Sequence, residues 1–491
     1  MVYRVKDYEA ILTELNGKLW DLAEIRFEEF ESSRLTAKVL EEHGYAVESG
    51  VGGLPTAYKA VYGSGSPVLG LLAEYDALDG LSQEADALEK RVRPGTSHGH
   101  GCGHHLLGTG IIGAALALRE YAEAHPGKGT IIVYGCPAEE GGSGKTYMAR
   151  AGVFDGIDIA LTWHPGTMNA AMTGSLLANC QAYFRFHGVS SHAGAAPQKG
   201  RSALDALELM NVGVNYLREH MEMTDRIHYA ITNTGGISPN VVQAEAEVLY
   251  LVRSRDNESV KELYRRVVNI AKGAALMTGT TLEIEFDKAC SNVVPSDTLG
   301  QLLYDSMIKI GVPMYTEEER RYILGYRKVI GDKAADNDAG LLPEFDMETR
   351  GRLCREHPLG DFILPFEPQD VIETASSDMG DISQIAPLLQ LQCACFSLGT
   401  QPHSWMQVAQ GKSSYAVKGM LFAAQTITEA AVSLMENPEL VEKAKEEKKR
   451  RTKGRTYECP IPEGVVPAAF RKKGQRVLEH SLPASACPVS R

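Results

Sequence analysis

Within five residues, His100-Gly101-Cys102-Gly103-His104, the chain offers a thiol and two imidazoles, separated by glycines that let a loop fold tightly around an ion. Taken alone, a glycine-rich turn with a buried cysteine is the plainer reading. Glu139-Glu140 changes the balance. These two acids directly follow the apolar run 130–136, where paired like charges are costly unless a cation compensates them. Adjacent residues at a strand end point to opposite sides, which predicts that one acid ligates while the other handles a proton. Two look-alikes fail on spacing. The run 141–146 (GGSGKT) imitates a phosphate-binding loop, but the first glycine of GxxxxGK[ST] falls at position 139, a glutamate that repels phosphate. Residues 99–103 lack the GxGxxG spacing of a dinucleotide turn.

Such residues need rigid elements to bring them together. The apolar runs 68–73, 130–136, 157–163 and 393–398 each read as a strand running into a polar or glycine-rich loop, the last three carrying Glu139-Glu140, His164 and His403. In open α/β sheets ligands sit at the carboxyl ends of strands, so converging loops of this kind can build one site. Helices are predicted over 7–31 and 34–43, and the segment 104–122, apolar nearly all round, predicts a buried helix. From 179 to 287 the rhythm becomes strand 181–188, helix 202–220, strands 228–233 and 247–254, helix 257–279 and strand 281–287, the βαββαβ split motif. The fold class expected is therefore α/β: a catalytic domain over 1–178 and 294–436, a ferredoxin-like insertion over 179–293, and a tail over 437–491.

Composition narrows the function. With 44% hydrophobic and 23% charged residues among 491, the chain is an ordinary globular sequence with room for a large core, and no apolar stretch approaches the roughly 20 residues that span a bilayer. A net charge of -13 disfavours binding to the nucleic-acid backbone, which needs a basic face. The one basic run, 443–455, alternates with Glu at helical spacing and reads as a solvated tail helix. Nine scattered cysteines and no visible secretory signal predict reduced thiols and a cytoplasmic protein.

The segments 71–80 (LLAEYDALDG), 99–110 (GHGCGHHLLGTG), 137–145 (PAEEGGSGK), 163–166 (WHPG), 190–197 (SSHAGAAP), 235–242 (GGISPNVV), 376–383 (SSDMGDIS) and 402–414 (PHSWMQVAQGKSS) resemble, in order, the aminoacylase and glutamate-carboxypeptidase family of metallopeptidases, and within it the amidohydrolase branch. The resemblance covers nearly the whole chain. It implies an exopeptidase-like catalytic domain interrupted by a lid that dimerises. It also implies Cys102, His104, Glu140, His164 and His403 as ligands of one or two divalent ions, Zn²⁺ or Mn²⁺, and Glu139 as the base that activates water. Asp76 matches the acid that orients a metal-binding histidine. Glu74 stands where many members carry that histidine, and Cys102 where they carry a bridging aspartate, although the amidohydrolase branch shares the cysteine. In the lid, His192 resembles a histidine that stabilises the oxyanion of a neighbouring protomer's site, while Asn240 and Arg253 resemble residues that hold the carbonyl and the terminal carboxylate.

The implied reaction is metal-dependent hydrolysis of a small N-acyl amino acid such as p-aminobenzoyl-glutamate. A dipeptidase or general N-acyl-amino-acid hydrolase is the alternative within enzymes. A catalytically silent partner subunit or metal-binding protein is the alternative outside them. The expected assembly is a homodimer through the lid, with a related partner chain as the other possibility and no nucleic-acid or membrane partner. Asp378 and Asp381 fit either ligand-orienting acceptors or helix caps. His98 and His105 flank the loop and are expected to support it.

Overall fold

The computed structural model describes residues 4–331, 347–368, 371–471 and 478–482. The chain forms two compact units, one of Met1–Ser175, Val294–Glu373 and Asp381–Glu458, the other of Leu176–Val293, Thr374–Gly380 and Cys459–Arg491.

The first unit is built on a seven-stranded sheet in the order Ala46–Ser49, Tyr58–Gly65, Lys128–Cys136, Val68–Glu74, Ile159–Gly166, Leu388–Ala394, Ala170–Ala171. Its four central strands, from Lys128–Cys136 to Leu388–Ala394, run parallel. The chain passes from Val68–Glu74 to a neighbour on one side and then to a neighbour on the other. Their carboxyl ends therefore open at a point where the strand order reverses, the usual place for a ligand crevice. The helix His104–Ala124 is buried along most of its length, as its apolar pattern requires. Two of its glycines permit close approach to the sheet: a Cβ at Gly108 would lie 2.4 Å from the Glu74 carbonyl oxygen, and one at Gly110 2.7 Å from the Trp163 ring nitrogen.

Three expectations need correction. The helix predicted over 7–31 is interrupted. Glu9–Leu22 ends at Ala23 in the left-handed conformation (φ 44°), Ile25 pairs with Ala77 beside the site, Phe27 is again left-handed (φ 62°), and a new helix runs over Phe30–Glu42. Tertiary pairing overrides a periodicity that continues through the break. The last strand is Leu388–Ala394 rather than 393–398, because the N–H groups of Cys395 and Phe396 both bond to the Gly166 carbonyl and turn the chain out of the sheet. Finally, the basic run lies on the helix Pro438–Arg451, which buries Val441, Ala444 and Glu447 instead of being solvated all round. The Glu447 carboxylate accepts from the N–H groups of Asp297 (2.8 Å) and Thr298 (3.0 Å) and so caps the helix Asp297–Ile310. Burial opposes its charge, yet the N–H groups of Thr298 and Asp297 hold its carboxyl down to about 2.

The second unit has an antiparallel sheet in the order Leu478–Leu482, Thr281–Cys290, Ala178–His187, Glu245–Ser254, Arg226–Asn233. The alternation in Glu245–Ser254 buries Ala246, Val248, Tyr250, Val252 and Ser254 on one face, where the helices Ala203–Leu217 and Asn257–Thr278 pack. Ser202 and Asp256 cap those helices by accepting the N–H groups of Asp205 and Ser259. Among the described residues, no helix is long and apolar enough to cross a membrane.

Candidate metal centre

Six of the residues singled out from the sequence come together in the first unit. Donor atoms of Cys102, His104 and His164 lie within 4.8 Å of one another, as do those of Cys102, Glu140 and His403, and those of His104, Glu139 and Glu140. Cys102, His104 and Glu140 thus each belong to two of the three donor groups. His104 opens the buried helix, His164 lies on the strand Ile159–Gly166, and His403 sits in a loop docked on the glycine-rich turn by its N–H bond to the Gly101 carbonyl (3.0 Å).

The acidic pair is not at a strand end with its side chains opposed. The strand stops at Cys136, Ala138 reverses the backbone in the left-handed conformation (φ 58°, ψ 42°), and both carboxylates then reach the neighbourhood of His104. His100 belongs to none of these donor groups; its Nε2 bonds to the Leu19 carbonyl instead (3.0 Å). His105 bonds to the Gly411 carbonyl and His98 pairs with Asp79, so both support the loop. Asp381 is buried and accepts from Thr146 Oγ1 and Tyr457 Oη, which makes it a structural anchor. Asp378 is buried in the second unit.

Neighbouring groups aim the ligands. Asp76 Oδ1 takes the Nδ1 proton of His104 (2.8 Å), leaving Nε2 for the cluster, and its Oδ2 takes the Glu140 N–H (2.8 Å). The carbonyl of Pro165 does the same for His164 Nδ1 (2.9 Å), so that its Nε2 faces Cys102 Sγ at 3.3 Å. His403 Nε2 lies 3.4 Å from Glu140 Oε1. These separations approach the roughly 3.3–3.6 Å edges of a tetrahedron with 2.0–2.3 Å metal bonds.

Two further observations fit a cation. His104 Nε2 and Glu140 Oε1 are buried without a hydrogen-bond partner. The cluster also balances its negative donors with protons. Burial works against a charge on His104, but Cys102, Asp76 and Glu74 hold it well above the ordinary histidine value. The neighbouring Cys102 and Glu140 push His403 up to about 10. Burial raises the Cys102 thiol. A divalent ion supplies the same compensation with the imidazoles neutral and the thiol ionised, which is how metal binding releases protons.

Lys145 carries no signal of its role in the sequence. It is fully buried, with Nζ 2.6 Å from Glu74 Oε1, while Glu74 Oε2 lies 3.3 Å from His104 Nε2. Lys145 lies in the run set aside as a false phosphate loop, on the helix Gly144–Arg150, and its partner ends the strand Val68–Glu74, so only the fold reveals the pair.

In the second unit, His192 and Asn240 lie on neighbouring segments joined by the Ala193 N–H to Asn240 carbonyl bond (2.9 Å) and a bridge between His192 and Val241. His192 is exposed, and its Nδ1 accepts the N–H groups of Gly194 and Ala195, which puts the ring proton on Nε2. Arg253 is elsewhere. Glu245 opens the strand beside this loop, and Arg253 lies eight residues further along it, about 26 Å at 3.3 Å per residue, where its guanidinium donates to Ser376 Oγ.

Residues 70–470 match the profile of peptidase family M20/M25/M40. The chain belongs to that family. It is 44% identical to one of the subunits of the p-aminobenzoyl-glutamate hydrolase of Escherichia coli (strain K12), over 94% of this chain and 96% of that one. It is 30% identical to a different subunit of the same hydrolase, over 48% of this chain and 55% of that one. Its fold is similar to that of a dinuclear metal-binding M20 peptidase of Bacillus subtilis, with TM-score 0.56 and 16% identity, covering 88% and 99% of the two chains. The protein is thus a hydrolase of the M20 family, whose members act on amide bonds.

Proposed function

We propose that the protein hydrolyses p-aminobenzoyl-glutamate or a similar N-acyl amino acid with a free carboxylate, using two divalent ions, Zn²⁺ or Mn²⁺, that share Cys102. The observation that carries this reading is the overlap of two of the donor groups at one thiol, with Glu139 in the third group beside His104 and Glu140. Cys102, His104 and His164 would hold one ion, and Cys102, Glu140 and His403 the other. When bound, such ions polarise the amide carbonyl and lower the pKa of water. Glu139 accepts the proton of the attacking water and returns it to the leaving amine. Asp76 keeps His104 in the tautomer that ligates. His192, with its proton on Nε2, is a donor for the oxyanion.

The length of strand between Asn240 and Arg253 supports a site shared by two lids, with His192 and Asn240 supplied by one protomer and Arg253 by the other. Exposed apolar side chains on this unit support a homodimer: Leu209, Val212 and Tyr216 on the helix Ala203–Leu217, and Tyr229 and Ile231 on the edge strand Arg226–Asn233. Sedimentation of the pure chain should give twice the monomer mass, and a monomer that turns over at full rate would refute the shared site. The likeness to two different chains of one hydrolase favours a second reading, in which a related chain replaces one protomer.

The carboxylate requirement is tested through Arg253, since a guanidinium fork matches a planar carboxylate. Arg253→Ala should cost about 2–5 kcal/mol in kcat/KM on the free acid, and far less on the same substrate with its carboxylate amidated. Equal losses on the two substrates would reduce Arg253 to a structural role. Rapid cleavage of the amidated form by the native enzyme would remove the carboxylate requirement altogether.

A further inference from the structure

Glu29 is a carboxylate with no exposed surface, immediately before the helix Phe30–Glu42 and outside the segment that matches the family profile. Burying an acid is costly unless its hydrogen bonds compensate. Glu29 Oε1 accepts the N–H of Ala138 at 2.8 Å, and Oε2 has no partner. Ala138 is the left-handed residue at which the chain reverses into Glu139-Glu140, a conformation unfavourable for a residue with a Cβ. The bond to Glu29 therefore falls on a strained point of the acidic loop.

Its neighbours reinforce the same place. Arg26 donates to the Glu140 carbonyl (3.4 Å), and the ring of Phe27 packs so closely over Gly142 that a Cβ there would lie 2.8 Å from it. The Glu24 carbonyl accepts the N–H of Ala77, next to Asp76, at 2.8 Å. The Leu19 carbonyl holds His100 of the glycine-rich loop. The interrupted segment between the first two helices thus braces the acidic loop and the Asp76 turn, while the helix before it holds the glycine-rich loop. Burial, and then the charge of Asp76, push Glu29 up to about 8, in keeping with an acid that serves as a hydrogen-bonding group.

We infer that Glu29 is a positioning residue for the reaction: by holding the Ala138 N–H it fixes the turn that aims Glu139. This rests on the reading of Glu139 as the base. Glu29→Met fills a similar volume without an acceptor, whereas Glu29→Gln keeps the acceptor oxygen. With the metal-loaded full chain and p-aminobenzoyl-glutamate, Glu29→Met should lower kcat about 10- to 100-fold, because a misplacement near 1 Å is enough for such a loss. KM and bound metal should stay at native values, and Glu29→Gln should restore most of the rate. If Glu29→Met does not fold, Glu29→Asp, which withdraws the acceptor by one methylene, should show the same kcat loss to a smaller extent. A native kcat in the folded Met or Asp variant, or a loss that tracks lost metal, overturns the inference. Glu139→Gln measured in parallel separates the two assignments. If it is inactive while Glu29→Met is unimpaired, only the positioning role fails; if Glu139→Gln is active, the base itself fails.

Discussion

Glu139→Gln is expected to lower kcat by about 10²-fold or more while leaving KM and bound metal unchanged, since a positioned general base contributes 10²- to 10⁴-fold. The substitution preserves size, and the left-handed turn at Ala138 that directs the side chain towards the cluster is untouched. What is lost is the ability to accept a proton. In the proposed arrangement Glu140 and His403, together with the shared thiol, retain the neighbouring ion. Steady-state kinetics combined with metal analysis of the same preparation checks this. A variant that keeps both its metal and a near-native kcat would falsify the role of Glu139.

The second large effect is expected at Cys102. Its sulfur is common to the Cys102–His104–His164 and Cys102–Glu140–His403 groups, so Cys102→Ser removes one ligand from each at once. A serine hydroxyl does not ionise near neutral pH and offers a harder, neutral donor where a thiolate stood. The variant should lose metal from both positions together and with it nearly all turnover, whereas Glu140→Gln should mainly empty the position shared with His403. Thiol labelling gives an independent view: Cys102 should resist modification in the loaded enzyme and react after chelation. If Cys102→Ser binds as many ions as tightly as the native chain, the thiol is structural.

Much of this site was legible before the fold was known, because its parts are local. Cys102 and His104 are two residues apart, Glu139 and Glu140 are adjacent, and His164 and His403 stand in short motifs that follow apolar runs. The α/β rhythm and the split motif were equally readable, since buried strands and long helices carry strong periodicities. What stayed hidden depends on contacts distant in sequence. Nothing near Glu29 announces Ala138, and nothing near Lys145 announces Glu74. The break at Ala23 is invisible because the residues after it remain helix-compatible; pairing of Ile25 with Ala77 decides the matter. The acidic pair lies beside His104 with a geometry other than the one expected, because a left-handed alanine has no sequence signature. Asn240 and Arg253 are thirteen positions apart in the sequence, yet most of the extended strand Glu245–Ser254 runs between them.

The central claim, that the chain is itself a metal-dependent amide hydrolase, is tested most directly by stripping the pure single chain with a chelator and titrating Mn²⁺ or Zn²⁺ back while following p-aminobenzoyl-glutamate cleavage. The stripped protein should show no turnover, and the rate should rise with bound metal to a plateau near two ions per chain. Undiminished cleavage by the stripped chain, or a chain with both ions bound that cleaves neither this substrate nor any other acylated amino acid in a panel, would contradict the claim.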